Sequence, residues 1–316
     1  MRRLPFILSI LAIAITCNAV AAADAVEPRM HNIARAFTEF WDASKDKPSA
    51  ERVAAFKKEV ALLAPAFYGV ERFNGALTQE ARDKHIERAI DGFAAIREEY
   101  VRKANQFEAQ LPRYVASFKT WFPDYRPTHD TYVLHSLGEM DGGMRTLNDR
   151  SALIFGIDAM VQYHGAGDET AFFHHELFHT YHSALNDCAG YPIWTALWRE
   201  GLATFVAKSM NPNANETELL LAIPNDMVAK TKAALPAALA HLESALENTD
   251  QPTYAGLFNN KPDDTGFSPR RGYYLGYLVA KQAAKQRSVQ ELAKLNCSQA
   301  RDVVFSAVRT LRESSR

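Results

Sequence analysis

The chain has 316 residues, 47% hydrophobic and 23% charged, which is apolar material enough for one large domain or two intimately packed lobes. Its 36 basic residues stand against 37 acidic ones, and removal of the first 21 residues with Arg2 and Arg3 leaves 34 against 37. A mildly acidic chain with no basic stripe speaks against nucleic acid as a partner.

Met1 to Ala21 combines Arg2 and Arg3, an apolar run from Leu4 to Thr16, and Ala19-Val20-Ala21 ahead of Ala22. It reads as a secretory signal peptide cleaved after Ala21 or Ala23, and it is too short for a spanning helix with polar flanks. Cys17 raises a lipoprotein reading, but Ala14 and Thr16 fit a lipobox poorly. The mature chain is therefore expected in a periplasm or secreted, with no stable membrane insertion. Cys188 and Cys297 remain; in an oxidising compartment they pair, or they stay as two buried thiols, and the sequence leaves both open.

Residues 22–128 read as an N-terminal helical region. Ile33, Phe37, Phe40 and Trp41 follow helical spacing between Arg29 and Ala43, and Ala50 to Ala64 forms a second helix. A longer helix runs from Thr78 to about Leu111 on Ile86, Ile90, Phe93, Ile96, Tyr100, Ala104, Phe107 and Leu111, and Pro112, Pro123 and Pro127 punctuate the chain beyond it. Within residues 129–210, Thr131 to Leu134 and Ala152 to Phe155 read as short strands separated by Gly138, Gly142 and Gly143. Asp168 and Thr170 offer caps for the helix after them. Residues 211–316 form a helical lobe: Asn211 to Asn215 is a turn, Glu216 to Asn248 is helical but interrupted by Pro224 and Pro236, and Asp250 to Asp264 is a polar loop. A helix then opens near Ser268 and runs through Lys285, and two more fill Ser288 to Leu311.

The chemistry concentrates in Phe172 to His182. His175-Glu176-Leu177-Phe178-His179 is an H-E-x-x-H pattern, and residues four apart project from one face of a helix, so two imidazoles can hold one metal ion. Glu176 lies one residue round from that face, able to reach an activated water without ligating the metal. A catalytic zinc takes three protein ligands and keeps one position open. The metzincin arrangement fails, because His182 and Leu185 stand where Gly and a third ligand belong. Glu200, on an otherwise apolar helix from Ile193 to Val206 and followed by the small Gly201, is the third candidate. His174 points to another face and reads as packing; His182 duplicates a ligand already assigned. Two imidazoles, a carboxylate and an open position suit Zn2+.

H-E-x-x-H paired with the later Glu200-Gly201-Leu202-Ala203 resembles the gluzincin metallopeptidases, and most of all bacterial predicted zinc-dependent proteases with an E-G-L-A motif. The matching motifs span roughly Tyr132 to Lys281. The resemblance implies a mainly α (α+β) zincin-like fold, with a small sheet beside the metal helix and a substrate strand added to a sheet edge. It departs from the family at Thr204, where gluzincins often carry an acidic residue that orients a metal histidine. In gluzincin aminopeptidases a Tyr-x-x-Gly supplies a phenol to the tetrahedral intermediate; Tyr273-x-x-Gly276 is similar to it, which makes Tyr273 the first candidate, Tyr274 the second, and Arg270 or Arg271 substitutes. No G-x-M-E-N amine-anchoring segment is found, which leans towards an endopeptidase or an unusual exopeptidase and leaves endo- versus exo-cleavage open. The expectation is an exported zinc peptidase acting on peptides or proteins. The alternatives are a zinc hydrolase of another amide or ester, and a non-catalytic zinc-stabilised binding protein. Oligomeric state is not legible.

Overall fold

The computed structural model describes residues 28–185, 188 and 190–315; the signal-peptide reading of Met1 to Ala21 falls outside them. Strand β1 (Met30–Asn32) leads into helices α1 (Ala34–Ser44), α2 (Ser49–Glu59), α3 (Pro65–Tyr68), α4 (Gln79–Gly92) and α5 (Arg97–Trp121). Strands β2 (Asp130–Leu134), β3 (Gly142–Leu147) and β4 (Arg150–Gly156) come next, then helices α6 (Ile157–His164), α7 (Thr170–Leu185) and α8 (Ile193–Met210). The remainder is helical: α9 (Met227–Ala233), α10 (Leu235–Ala245), α11 (Gln251–Phe258), α12 (Arg271–Ala283), α13 (Val289–Ala293) and α14 (Cys297–Ser314). The described chain is thus mainly helical with a small four-stranded mixed sheet, an α+β arrangement.

The sheet runs β1-β2-β4-β3, with β1, β2 and β4 parallel and β3 antiparallel to β4 at one edge. Parallel neighbours need a long crossover, and α1 to α5 supply the one between β1 and β2. β3 and β4 are joined by Asn148-Asp149, both at positive φ (49° and 59°), the backbone that a two-residue hairpin turn requires. β1 brings the N-terminal region into the sheet, and one apolar core runs from Ile33 to Val308, so the regions on either side of residues 128/129 and 210/211 share their interior.

Several expectations change. The long helix from Thr78 breaks at Phe93–Ala95, where a short 3-10 turn re-aims Phe93 edge-on to Phe37 and Tyr100, each 4.9 Å away. Beyond it α5 continues through Pro112 to Trp121, because Tyr100, Ala104, Phe107, Leu111 and Phe118 keep one buried stripe whose packing outweighs a lost backbone bond. Gly142 and Gly143 do not separate strands; they begin β3. Asp250 to Asp264 is not all loop: the Asp250 carboxylate accepts from Thr253 N at 2.9 Å and Pro252 sits in the first turn, so α11 starts there. Similarly, Pro236 opens α10, while Glu216 to Asp226 is turn rather than helix.

Cys188 and Cys297 form a disulfide with Cα atoms 5.4 Å apart, tying the segment after α7 to the start of α14. Asn296 caps that helix in a reciprocal box with Gln299. Among the described residues no helix is long and apolar enough to cross a membrane.

Candidate metal centre

Helix α7 is fixed from behind. Phe172, Phe173, Leu177, Phe178 and Tyr181 are all buried; Phe173 stacks on Tyr114 of α5 at 4.2 Å, and Phe178 meets Phe122 at 5.7 Å. Each such ring contributes roughly 2–3 kcal/mol by leaving water. Polar ties add direction. Thr180 Oγ1 and Tyr125 Oη lie 2.8 Å apart, and the Tyr181 hydroxyl donates to Asp124 at 3.0 Å. At the helix start Asp168 accepts from the Thr170 amide at 2.8 Å, and buried Lys103 and Glu169 pair at 2.7 Å. The opposite face of α7 carries His175 and His179.

Helix α8 packs across that face and brings Glu200 with it. His175 Nε2 and His179 Nε2 are 2.9 Å apart, and Glu200 Oε2 is 3.4 Å from the first and 3.3 Å from the second. Ligands at ~2.0–2.1 Å from a tetrahedral zinc are about 3.3 Å from one another, so the donor set fits that ion with a slight parting of the imidazoles. Ionisation fits for His175 and Glu200. Burial is the main cause that lowers the His175 pKa, leaving a neutral imidazole. Burial opposes the charge on Glu200, yet the facing imidazoles outweigh it and hold the carboxyl well below its usual range. For His179 burial pulls down, and the Glu200 carboxylate leads the contributions that raise it overall.

Glu176 stands apart from this trio. Its carboxyl is pushed up to about 8, first by burial, and Oε2 has no hydrogen-bond partner. Edge strand β3 presses on it: a Cβ on Gly142 would lie 2.8 Å from Glu176 Cγ and 2.7 Å from Phe172 Cζ. Only glycine admits the strand this close to the carboxyl.

A cavity of about 580 Å³ opens over these side chains. β3 forms one wall with Gly142, Gly143, Met144, Arg145 and Thr146; Tyr254 of α11 and Tyr273 of α12 face it. Tyr273 is half-buried, and desolvation with the Glu200 charge raises its pKa well above the usual phenol value. It is thus a neutral donor turned to the same space. Tyr274, the second candidate, packs elsewhere with Leu221, Met227 and Val228, because neighbours on a helix point about 100° apart. Arg271 is also removed from the site: its buried guanidinium donates to Gly256 O at 2.6 Å, Ser268 O at 3.2 Å and Asp263 at 2.7 Å. Arg270 lines the cavity.

His174 is off the site. Asn211 Nδ2 donates to its Nδ1 at 2.9 Å, and burial pulls its pKa down to about 4. His182 lies on the cavity wall, stacked on Phe178 at 5.2 Å, with its pKa down to about 3 through burial first and then His179 and Arg199. It is therefore neutral but is not one of the three converging ligands. Thr204 spends its hydroxyl on the Glu200 carbonyl at 2.9 Å, so it steadies the helix turn under the ligand and orients no histidine.

Several cavity residues carry no sequence signal of their role. Asp141 accepts from the Gly142 amide at 3.0 Å and meets buried His164 Nε2 at 3.2 Å; burial opposes its charge, but His164 keeps the carboxyl below the usual value. Arg145 and Tyr254 lie too far along the chain from H-E-x-x-H for spacing to connect them, whereas Arg199 stands directly before Glu200. The Asp250-Gln251-Pro252 start of α11 was the one available cue for Tyr254. No known protein family, curated protein or solved structure matches this chain.

Proposed function

We propose that the protein is an exported zinc-dependent peptidase with a zincin-like arrangement, His175, His179 and Glu200 holding the ion and Glu176 serving as general base. The observation that carries this reading is the convergence of His175 Nε2, His179 Nε2 and Glu200 Oε2 to 2.9–3.4 Å beside a buried carboxyl with one unpartnered oxygen. His175, His179 and Glu200 would hold a zinc ion that, when bound, would lower the pKa of water towards ~7 and polarise a carbonyl.

The side chains divide the remaining work. The unpaired edge of β3 runs along the cavity, where an extended peptide can add by main-chain hydrogen bonds and lay its scissile carbonyl beside Glu176. Glu176 takes a proton from the attacking water and returns one to the leaving nitrogen, and the positive charge of a bound ion would favour its carboxylate form against the burial that raises its pKa. Neutral Tyr273 donates to the oxygen on which negative charge grows. The disulfide between Cys188 and Cys297 supports export, since such bonds persist in oxidising compartments.

The test is elemental analysis of the purified mature protein with cleavage of a mixed peptide library before and after chelation. One zinc per chain and cleavage that chelator abolishes and zinc restores are expected. Glu176→Gln keeps its zinc and loses cleavage. Zinc retained with no hydrolysis by the native protein would leave a structural metal, and ester hydrolysis without peptide products would redirect the substrate class.

A further inference from the structure

The sequence Arg270-Arg271 places two guanidinium groups side by side with opposite fates. Arg271 is almost wholly buried, and its two terminal nitrogens are engaged by two carbonyls and the Asp263 carboxylate, with Nε left unpartnered. Arg270 adopts left-handed backbone (φ 59°) just before α12, which turns its side chain out of the helix and onto the cavity wall. Its guanidinium carbon sits 4.3 Å above the Tyr273 ring. Its Nε is buried without a hydrogen-bond partner, and among the described residues it enters no ion pair, unlike Arg271 at 2.7 Å from Asp263.

Buried polar groups are normally satisfied, so an unpartnered Nε on a cavity wall asks for an acceptor from outside. The carboxylates of the cavity do not supply it. Glu200 is engaged by the two imidazoles, Asp141 by His164 and the Gly142 amide, and Glu176, whose Oε2 has no partner, makes no ion pair or hydrogen bond with Arg270 among the described residues. Arg199, on the same cavity, also has no ion pair among the described residues, which adds positive potential to that space. The planar fork of an arginine matches a carboxylate better than any other peptide group.

We infer that Arg270 is a substrate-binding residue that receives a carboxylate of the peptide, so the cavity selects substrates with a negative charge close to the cleaved bond. This rests on the peptidase reading and narrows it. Two sources share that chemistry, the α-carboxylate at a peptide's C-terminus and an Asp or Glu side chain. The stacking of Arg270 on Tyr273 holds the fork beside the oxyanion donor without using its N–H groups.

The experiment uses the zinc-loaded native protein and three pairs of N-acetylated peptides built around acetyl-Ala-Ala-Phe-Ala-Ala. One pair differs as C-terminal acid against amide; the others are amides with Glu against Gln on either side of the Phe. The charged member of one pair is expected to show a kcat/KM at least about tenfold higher, mostly through KM, and the pair that responds identifies the source. Arg270→Gln removes that margin and Arg270→Lys restores part of it. A role as oxyanion donor would instead lower kcat on charged and neutral peptides alike. Calorimetry on the Glu176→Gln protein reads the same preference as binding, without turnover, and circular dichroism checks each variant's fold. Cleavage of all pairs without charge preference overturns the carboxylate site and leaves the peptidase intact. No cleavage of any peptide by the zinc-loaded protein overturns both.

Discussion

Gly201 and Gly276 meet where α8 crosses α12. A Cβ on Gly201 would fall 2.1 Å from the Gly276 carbonyl carbon and 2.4 Å from its Cα, and a Cβ on Gly276 would fall 2.8 Å from Gly201 Cα. The two helices approach backbone to backbone, one residue from Glu200 and three from Tyr273. The glycines of Glu200-Gly201 and Tyr273-x-x-Gly276 thus set the distance between a candidate metal ligand and a phenol.

Gly201→Ala is expected to push α8 from α12. Overpacking of this kind costs about 1–3 kcal/mol. Denaturant unfolding should report that loss, and peptide cleavage should fall further than stability alone explains, because Glu200 and Tyr273 move apart. A variant as stable and active as the native protein would show that the crossing does not set the site.

Tyr273→Phe is expected to reduce kcat about 10²–10³-fold with little change in KM, as loss of an oxyanion donor does. Tyr274→Phe, in the separate apolar cluster, should stay within a few-fold of the native rate. Steady-state kinetics on both proteins checks the pair; a reversed order would move the donor to Tyr274.

Breaking the disulfide by Cys297→Ser opens a link across 109 residues. On chain-entropy grounds this costs roughly 4–5 kcal/mol. Because Cys188 lines the cavity, the loss should also appear as a rise in KM, measurable alongside thermal unfolding.

Asp263 supports buried Arg271, and its pKa carries a sign that can be measured. Burial raises it, but hydrogen bonds from Thr265 and Arg271 lead the contributions that bring it below the usual value. A depressed carboxylate adds stability above its unfolded pKa of ~3.9 and loses it as pH falls through the folded value. Asp263→Asn should therefore cost about 3 kcal/mol at pH 7, where it leaves Arg271 buried without its partner, and converge on the native protein at low pH. Thermal unfolding from about pH 7 to 2 tests both limbs. A constant difference across that range would deny the pair its role.

The candidate metal ligands were legible because their signals are local or compositional. His175 and His179 are four apart on a helix, and Glu200 is a carboxylate on an apolar helix. The helices that bury a continuous stripe were legible for the same reason. What escaped depends on contacts distant in sequence. β1 has three residues and exists because β2 pairs with it, and β3 opens with two glycines of poor strand propensity, the first of which is needed to pass Glu176. Pro112 read as an end because local rules penalise it, while burial on both sides carries α5 through. Tyr273 and Tyr274 shared one motif, and only the crossing of α8 and α12 decides which of them faces the cavity.

The open edge of β3 has a consequence for what a peptidase acting at this site could attack. A chain laid against it must surrender its own helices or sheets over several residues, since its amides and carbonyls are then taken by Gly142 to Leu147. Native globular proteins keep those groups occupied. Selection would therefore act on conformation before composition, favouring tails, loops and misfolded clients over intact neighbours in the same compartment.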